Sequence, residues 1–404
     1  MSLNREQEIA LKKLQTWIDS KDYTPRGLIG RAGTGKTFLL NHLELPFNTV
    51  GVAPTLQAVG VLSNSLNCEC VSFDSLTFST KTYDKDKVIF KSDTKKWYRA
   101  KRYSLIIVDE ASMLSEENVA LLHKIYSKSK ILFVGDIGQL PSIDDENYSV
   151  FKGLTCYMLT KNERSGDDNP LLSIANKNYL NESISIDKKN NLSNGKGYVY
   201  VKVKDIPELF INREIDTICV ATNRMRENIN NEIHNLLFPG TTYGVGEVLI
   251  SNENIDYQGG KGTTKYRITN SELVRVITST QISKLINVLG LSIDVLYDDI
   301  ETNKGNIHVL NFQYINTYNK FLNDIRNNCM KDKAHWNIYH EYKEYFHNVS
   351  YSYAITIHKA QGSGFDNIGV YYNDISNFFN KKIVVNLFYT ALTRARKICY
   401  IITD

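Results

Sequence analysis

Two residues that close a glycine-rich run are the first that could do chemistry. Gly30-Arg31-Ala32-Gly33-Thr34-Gly35-Lys36-Thr37 fits the spacing G-x-x-x-x-G-K-[ST], a phosphate-binding loop. Glycines let the backbone fold close around an anion, so that successive N–H groups point inward. Gly33, Thr34, Gly35, Lys36 and Thr37 are the nucleotide-binding candidates. Lys36 would reach the β- and γ-phosphates, and the Thr37 hydroxyl would sit on Mg²⁺. The context agrees: apolar Leu28-Ile29 precedes the loop, and a helical pattern from Lys36 to Leu43 follows it. A helix start there adds a dipole that favours anions.

A second set of chemical residues closes later apolar runs. Leu105-Ile106-Ile107-Val108 ends in Asp109-Glu110. Asp109 is placed to hold Mg²⁺ and Glu110 to polarise an attacking water. Ile131-Leu132-Phe133-Val134 ends in Gly135-Asp136, and Gln139 follows, an amide positioned near a γ-phosphate. Arg164 is a candidate arginine beyond these. Gln7, in the first helix, has a side-chain amide that can donate to and accept from an adenine edge. The alternative for Gln7 is an exposed helix position.

The elements that must hold these groups read as alternating strands and helices, the pattern of a parallel α/β sheet. Asn4 caps a first helix whose apolar face is Ala10, Leu14, Trp17 and Ile18. Thr49–Ala53 is a strand stopped by Pro54-Thr55, and Leu56 to Leu66 a helix. Residues 77–100 break the pattern: two short strands flank Asp84-Lys85-Asp86-Lys87, and the basic run Lys95-Lys96-Trp97-Tyr98-Arg99 follows. Phe90 and Trp97 could stack on a base there, or the hairpin could pack on its parent domain. A second α/β pattern begins near residue 166, with a strand at Ile215–Ala221 and a helix at Arg224–Leu237. Residues 244 to about 310 change to short strands, among them Leu273–Thr278 and Ile293–Tyr297, around a flexible Gly259–Gly262 turn; this spacing suggests a small β-barrel. Phe312 to His347 is helical. The α/β pattern then returns, with a strand into a helix at Tyr353–Gly362, a helix from Leu387 to Lys397, and a last strand at Cys399–Thr403.

Bulk properties set bounds. At 404 residues the chain should hold two or more domains, since single cores rarely grow past about 250–300 residues. A net charge of +4 permits a polyanion partner without requiring one. The six cysteines contain no C-x-x-C, which argues against zinc, and Cys219 and Cys399 lie in apolar runs and read as reduced core residues. No apolar run approaches the roughly 18–20 residues of a membrane span, and Met1–Ser20 reads as an amphipathic helix, so a cytoplasmic protein without a membrane partner is expected.

Taken together, these segments resemble the superfamily 1 DNA helicases of the RecD/Dda branch. The resemblance covers nearly the whole chain, weakest at 77–100 and 244–345. It rests on Gln7, Gly30–Thr37, Ala53-Pro54-Thr55, Asp109-Glu110-Ala111-Ser112, Gly135-Asp136-Ile137-Gly138-Gln139-Leu140-Pro141 and Arg164. His358-Lys359-Ala360-Gln361-Gly362 and Tyr389-Thr390-Ala391-Leu392-Thr393-Arg394 are the runs most specific to the branch. Two positions depart from it. Ser72-Phe73-Asp74 stands where relatives often have Thr-x-His, and Ser142 where they often have a second Pro. The resemblance implies two RecA-like domains at 1–76 with 101–165 and at 166–243 with 346–404. It further implies a hairpin pin at 77–100 and an SH3-like barrel with helices at 244–345. ATP and Mg²⁺ would lie between the two domains, with Gly362 near the nucleotide and Arg394 and Arg164 completing a cage of positive charge. Pro54, Thr55, Phe90, Thr356 and His358 would meet DNA. The implied activity is ATP-driven 5′ to 3′ movement on single-stranded DNA and unwinding of forked duplex. The implied setting is a monomer in the cytoplasm of a phage-infected bacterium, with replication or recombination proteins as further partners.

Readings from other classes compete. A nucleotide-switched nucleic-acid-binding protein would not need the full hydrolytic set of Glu110 and Arg394. An RNA helicase fits the same residues, since nothing in them reports on a 2′-hydroxyl. A small-molecule phosphotransferase leaves the second α/β pattern and its arginine without a role.

Overall fold

The computed structural model describes residues 3–84, 87–136, 138–140, 149–161, 170–180, 183–184, 189–256, 267–331, 335–378 and 380–404, with backbone alone at 57, 80–84, 87–90, 172, 330 and 331. Helix α1 (Arg5–Asp19) starts at a capping box between Asn4 and Gln7. It buries Ala10, Leu14, Trp17 and Ile18, and Gln7 with them. Its last carbonyls accept from a buried lysine: Lys130 Nζ lies 2.6 Å from each of Trp17 O, Ile18 O and Ser20 O. A cation there also meets the negative end of the helix dipole.

Then follow β1 (Arg26–Gly30), α2 (Lys36–Leu40), β2 (Thr49–Ala53), α3 (Leu56–Ser63), β3 (Glu69–Ser72) and α4 (Phe73–Leu76). Strands β4 (Ser79–Asp84) and β5 (Lys87–Ser92) pair as an antiparallel hairpin, followed by a 3-10 turn at Thr94–Arg99. After it come β6 (Leu105–Val108), α5 (Glu116–Ile125), β7 (Lys130–Gly135) and β8 (Thr155–Leu159). The first sheet has the order β3-β2-β6-β7-β1-β8, parallel in every pairing. Its central strands are apolar at nearly every position after the first because both faces are covered. Leu105, Ile107, Leu132 and Val134 face one cluster with Leu14, Leu39 and Leu62. Ile106, Val108, Ile131 and Phe133 face the other, with Phe73 and Leu122. Burying each such side chain contributes roughly 1.5–3 kcal/mol.

The chain continues through α6 (Pro170–Leu180), β9 (Asn191–Ser193), β10 (Lys196–Lys202), α7 (Ile206–Ile211), β11 (Thr217–Val220) and α8 (Asn223–Leu237). Residues Arg226–Ala354 form a compact unit of their own, apart from a unit of Met1–Met225 with Ile355–Asp404. The expected boundaries at 243/244 and 345/346 both fall inside that smaller unit. It holds β12 (Val248–Ser251), β13 (Ile255–Asp256), β14 (Arg267–Ile268), β15 (Leu273–Val288), β16 (Leu291–Thr302), β17 (Gly305–Leu310), α9 (Ile315–Lys331), α10 (Trp336–Lys343) and β18 (Val349–Tyr351). The order β17-β16-β15-β12-β18 is antiparallel throughout. His347 N donates to His308 O at 2.7 Å, which draws the two edges of this sheet together. The short strands expected at Leu273–Thr278 and Ile293–Tyr297 are 16 and 12 residues long. Polar residues at 278–284 read as a loop, but α9 covers the far end of the hairpin: Ile286, Ile293 and Val295 pack with Tyr318, Phe321 and Ile325. The Gly259–Gly262 turn lies outside the described residues. Next to this sheet, buried His234 and Glu247 meet at 2.7 Å, and Tyr353 Oη donates to the same carboxylate oxygen at 2.8 Å.

The larger unit resumes with β19 (Ala354–Thr356), α11 (Ile357–Ala360), β20 (Phe365–Tyr371), α12 (Tyr372–Ser376), α13 (Lys381–Leu392) and β21 (Ala395–Thr403). The second sheet has the order β19-β11-β20-β21-β10-β9, with β11, β20, β21 and β10 parallel and β9 antiparallel at the edge. Cys219 and Cys399 are fully buried in it. The helix expected from Leu387 to Lys397 ends at Leu392. Thr393 N bonds to Tyr389 O and Arg394 N to Ala391 O, which closes the last turn. The run after it joins the sheet because its apolar residues, Cys399 to Ile402, are buried there.

Candidate nucleotide site

The glycines shape the loop between β1 and α2. Gly33 and Gly35 hold φ of 84° and 77°, where a Cβ is disfavoured. A Cβ at Gly35 would also stand 2.4 Å from Gln7 Nε2. Thr34 is buried and its hydroxyl donates to Arg31 O at 2.9 Å. The Lys36 ammonium donates to Gly30 O at 2.7 Å and Arg31 O at 3.1 Å, which holds its charge against the start of the loop. Helix α2 is shorter than the expected Lys36–Leu43, breaking into turns at Asn41, although Leu43 is still buried.

The acids stand at the end of β6. Asp109 N donates to Val52 O at 2.8 Å, continuing the pairing with β2. Asp109 Oδ1 accepts from Glu110 N at 2.9 Å. Glu110 adopts φ 50° and ψ 35°, a left-handed backbone that costs on the order of 1–3 kcal/mol in a residue with a Cβ. Burial pushes both carboxyls above the usual carboxylate range. For Glu110, Asp109 and Asp136 push the same way, while Arg394 and Lys36 pull back. One carboxyl is therefore within the field of a lysine from the first sheet and an arginine from the second.

Arg394 sits in the turn between α13 and β21, 7% exposed. Its Nε donates to Thr390 O at 3.1 Å, Nη1 to Ser363 O at 3.3 Å and Nη2 to Thr393 Oγ1 at 3.2 Å. At the end of β7, buried Asp136 accepts from Gly138 N at 2.9 Å, forming the turn that leads to Gln139. Gln139 is buried, and its Oε1 has no donor among the described residues. A buried acceptor of that kind suits a water or ligand donor.

Residues 2–161 match a family described as an AAA domain, and residues 351–402 match the UvrD-like helicase C-terminal domain. The ATP-dependent DNA helicase dda of Enterobacteria phage T4 is 25% identical over 91% of this chain and 92% of its own length. Both ends of the chain and its overall sequence thus resemble the superfamily 1B helicases. An uncharacterized protein of Acanthamoeba polyphaga mimivirus is 24% identical over 97% of this chain and 98% of its own. The fold matches that of the Pif1 helicase from Bacteroides, solved with ADP-AlF3 and single-stranded DNA. That likeness has a TM-score of 0.54 and 18% identity, over 99% of this chain and 92% of that one.

The other nominated residues fall into place unevenly. Thr55 caps α3 by accepting from Ala58 N at 3.2 Å, next to Pro54 at the end of β2. Thr356 caps α11 by accepting from Lys359 N at 3.3 Å, and His358 lies half-buried in that helix. Gly362 has φ 76°, and a Cβ on it would meet Ala58 Cβ at 3.7 Å and Thr55 Oγ1 at 3.9 Å. The structure thus brings Gly362 to the first turn of α3. Asp74 is half-buried, and burial pushes its carboxyl up. Trp97 is an anchor rather than a free platform: its Nε1 donates to Ser92 Oγ at 2.8 Å, and Lys124 Nζ sits 5.2 Å from its ring centre. Phe90 has its backbone in β5 opposite Lys81, its side chain lying outside the described residues, as does the whole of Arg164.

Gln7 is not an exposed helix position. It is 1% exposed, with Oε1 accepting from Asn4 N at 3.0 Å and Nε2 donating to Thr34 O at 3.0 Å. Its amide braces the phosphate loop against the cap of α1. An apolar-face pattern does not count a buried glutamine, so the sequence could not announce this. Gln7→Ala is expected to cost about 1–2 kcal/mol through the lost cap and the unsatisfied carbonyl. It should raise KM for ATP and GTP alike. A glutamine that reads adenine would instead lose ATP selectively, so the two KM values decide between the roles.

Proposed function

We propose that the chain is an ATP-driven DNA helicase that moves 5′ to 3′ on single-stranded DNA and unwinds forked duplex. The observation that carries this reading is the meeting of the two sheets at the nucleotide site: Gln361, from the second, donates to Leu140 O beside Gln139 at 3.4 Å, and Glu110 lies within the field of both Lys36 and Arg394. Thr37 and Asp109 supply a hydroxyl and a carboxylate, which suits Mg²⁺, a cation that takes few protein oxygens and keeps phosphates and water as its other ligands. Bound ATP and Mg²⁺ supply an activated γ-phosphoryl group. Gly33, Thr34, Gly35, Lys36 and Thr37 orient it, Glu110 and Gln139 hold the attacking water, and Arg394 with Arg164 balances the equatorial charge. Arg394 belongs to the far sheet, so hydrolysis is tied to closure between the sheets. Pro54, Thr55, Thr356 and His358 form the track for the strand, gripping mostly phosphates and therefore in a salt-sensitive way. The name of the phage T4 relative and the strand bound to the Bacteroides Pif1 support DNA as the polymer.

Steady-state ATP hydrolysis with and without single-stranded DNA tests the reading, and duplexes tailed at either end test direction. Strong stimulation with unwinding only from a 5′ tail is the expected result. A rate indifferent to DNA, or unwinding from a 3′ tail, overturns it. Phe90, on the hairpin of β4 and β5, is assigned to strand separation. Unstacking a base step costs a few kcal/mol, part of which an aromatic side chain can offset. Phe90→Ala is expected to keep single-strand-stimulated hydrolysis within about two-fold and to lose most unwinding; parallel loss of both would remove the assignment.

A further inference from the structure

Tyr389 joins three parts of the nucleotide site, and the mechanism above leaves it unused. It lies in α13 and is 2% exposed. Its hydroxyl accepts from Ala32 N, in the phosphate loop, at 3.2 Å and donates to Asp136 Oδ2 at 2.9 Å. The other oxygen of Asp136 accepts from Gly138 N at 2.9 Å, so the same carboxylate sets the turn before Gln139. The ring is seated against Gly138, where a Cβ would stand 2.9 Å from Tyr389 Cε1. The ring also meets Tyr179 of α6, with ring centres 5.3 Å apart. Arg31 lies 5.2 Å from the Tyr179 ring and donates to Asn176 Oδ1 at 3.0 Å, so the loop and α6 grip each other as well. Burial and the nearby Asp136 push the phenol well above its usual range, so it stays a donor at neutral pH.

The geometry places Arg394 under the same control. Tyr389 O accepts from Thr393 N at 3.1 Å, and the turn it closes carries Arg394. A shift of Tyr389 relative to the phosphate loop would carry Arg394 with it. We propose that the Tyr389 hydroxyl is a positioning group for hydrolysis. It sets the phosphate loop, the Gln139 turn and the Arg394 turn at one spacing, and acts through Arg394 rather than on the nucleotide itself. This rests on the reading of Arg394 given above.

Tyr389→Phe removes only the oxygen. The expected result is a loss of about ten-fold or more in kcat at saturating ATP, with KM for ATP changed by less than about three-fold. That split is the mark of an interaction needed in the transition state rather than in binding. A double-mutant cycle with Arg394→Ala decides the route: acting through Arg394, Tyr389→Phe should cost little once Arg394 is gone. An unchanged kcat, or equal losses in both backgrounds, overturns the proposal, whatever happens to thermal stability. Should the phenylalanine variant fold poorly, Gly138→Ala is read instead; it crowds the ring and leaves the hydroxyl, and the same kcat loss and the same cycle apply. Both cycles are read on basal as well as DNA-stimulated hydrolysis, so the result stands apart from whether DNA is the activating polymer.

Discussion

Replacing Arg394 by alanine is expected to lower kcat for ATP hydrolysis by about 10³–10⁵-fold, the range a positioned arginine contributes to phosphoryl transfer. KM should change far less, because the charge it balances develops only in the transition state. Three donors hold the guanidinium in place against Thr390 O, Ser363 O and Thr393 Oγ1. The truncation therefore also removes three hydrogen bonds, and Arg394→Lys is the companion variant. Lysine restores the charge without the planar fork and should recover only part of the rate. The same arginine pulls the Glu110 carboxyl down. Its loss should move the acid limb of the pH–rate profile to higher pH, which a steady-state profile of the residual activity measures. An Arg394→Ala enzyme with near-normal kcat would remove the arginine from the mechanism.

Glu110→Gln should lower kcat by about 10²–10⁴-fold, the usual worth of a positioned acid–base group, and should also make the protein more stable near neutral pH. The second effect follows from the direction of the shift. Burial, Asp109 and Asp136 raise the folded-state value. The folded chain then holds a proton that the unfolded chain has already lost, so stability falls as pH rises from the ordinary glutamate range through the raised one. The carboxylate form needed for catalysis is the costly one. Glutamine keeps the shape and removes the charge. Its stabilising effect should be larger at pH 8 than at pH 5, by thermal melting of variant and wild type at both values. A gain that is equal or reversed between them would mean that Glu110 is not held in a repulsive, dehydrated site.

Much of the first sheet and of its chemistry was legible from residues alone. Gly30–Thr37 and Asp109-Glu110 carry signals in type and spacing, because phosphate binding needs glycine and a terminal lysine, and a buried parallel strand is apolar at every position. The strands β8, β9 and β10 and the helices α6 and α7 were not. Edge strands such as Asn191–Ser193 are short and half-solvated, so their composition resembles that of loops. The long hairpin of β15 and β16 was undercounted for a related reason: its polar alternation looks like a turn until α9 covers one face. Arg394 was found by motif but put in a helix, because the apolar pattern of α13 runs on into β21 and only the carbonyl partners of Thr393 and Arg394 mark the stop.

By itself the sequence determined which residue types stand at each strand end, and so the class of chemistry. Bond lengths and steric limits act over a few residues, and those are written locally. Which strand ends face each other was decided by tertiary structure alone. Gln7 became a brace for Thr34, Gly362 came to rest beside Thr55, and Tyr389 reached both Ala32 and Asp136. Each of these contacts joins residues far apart in the chain, so none exists before the tertiary fold has formed.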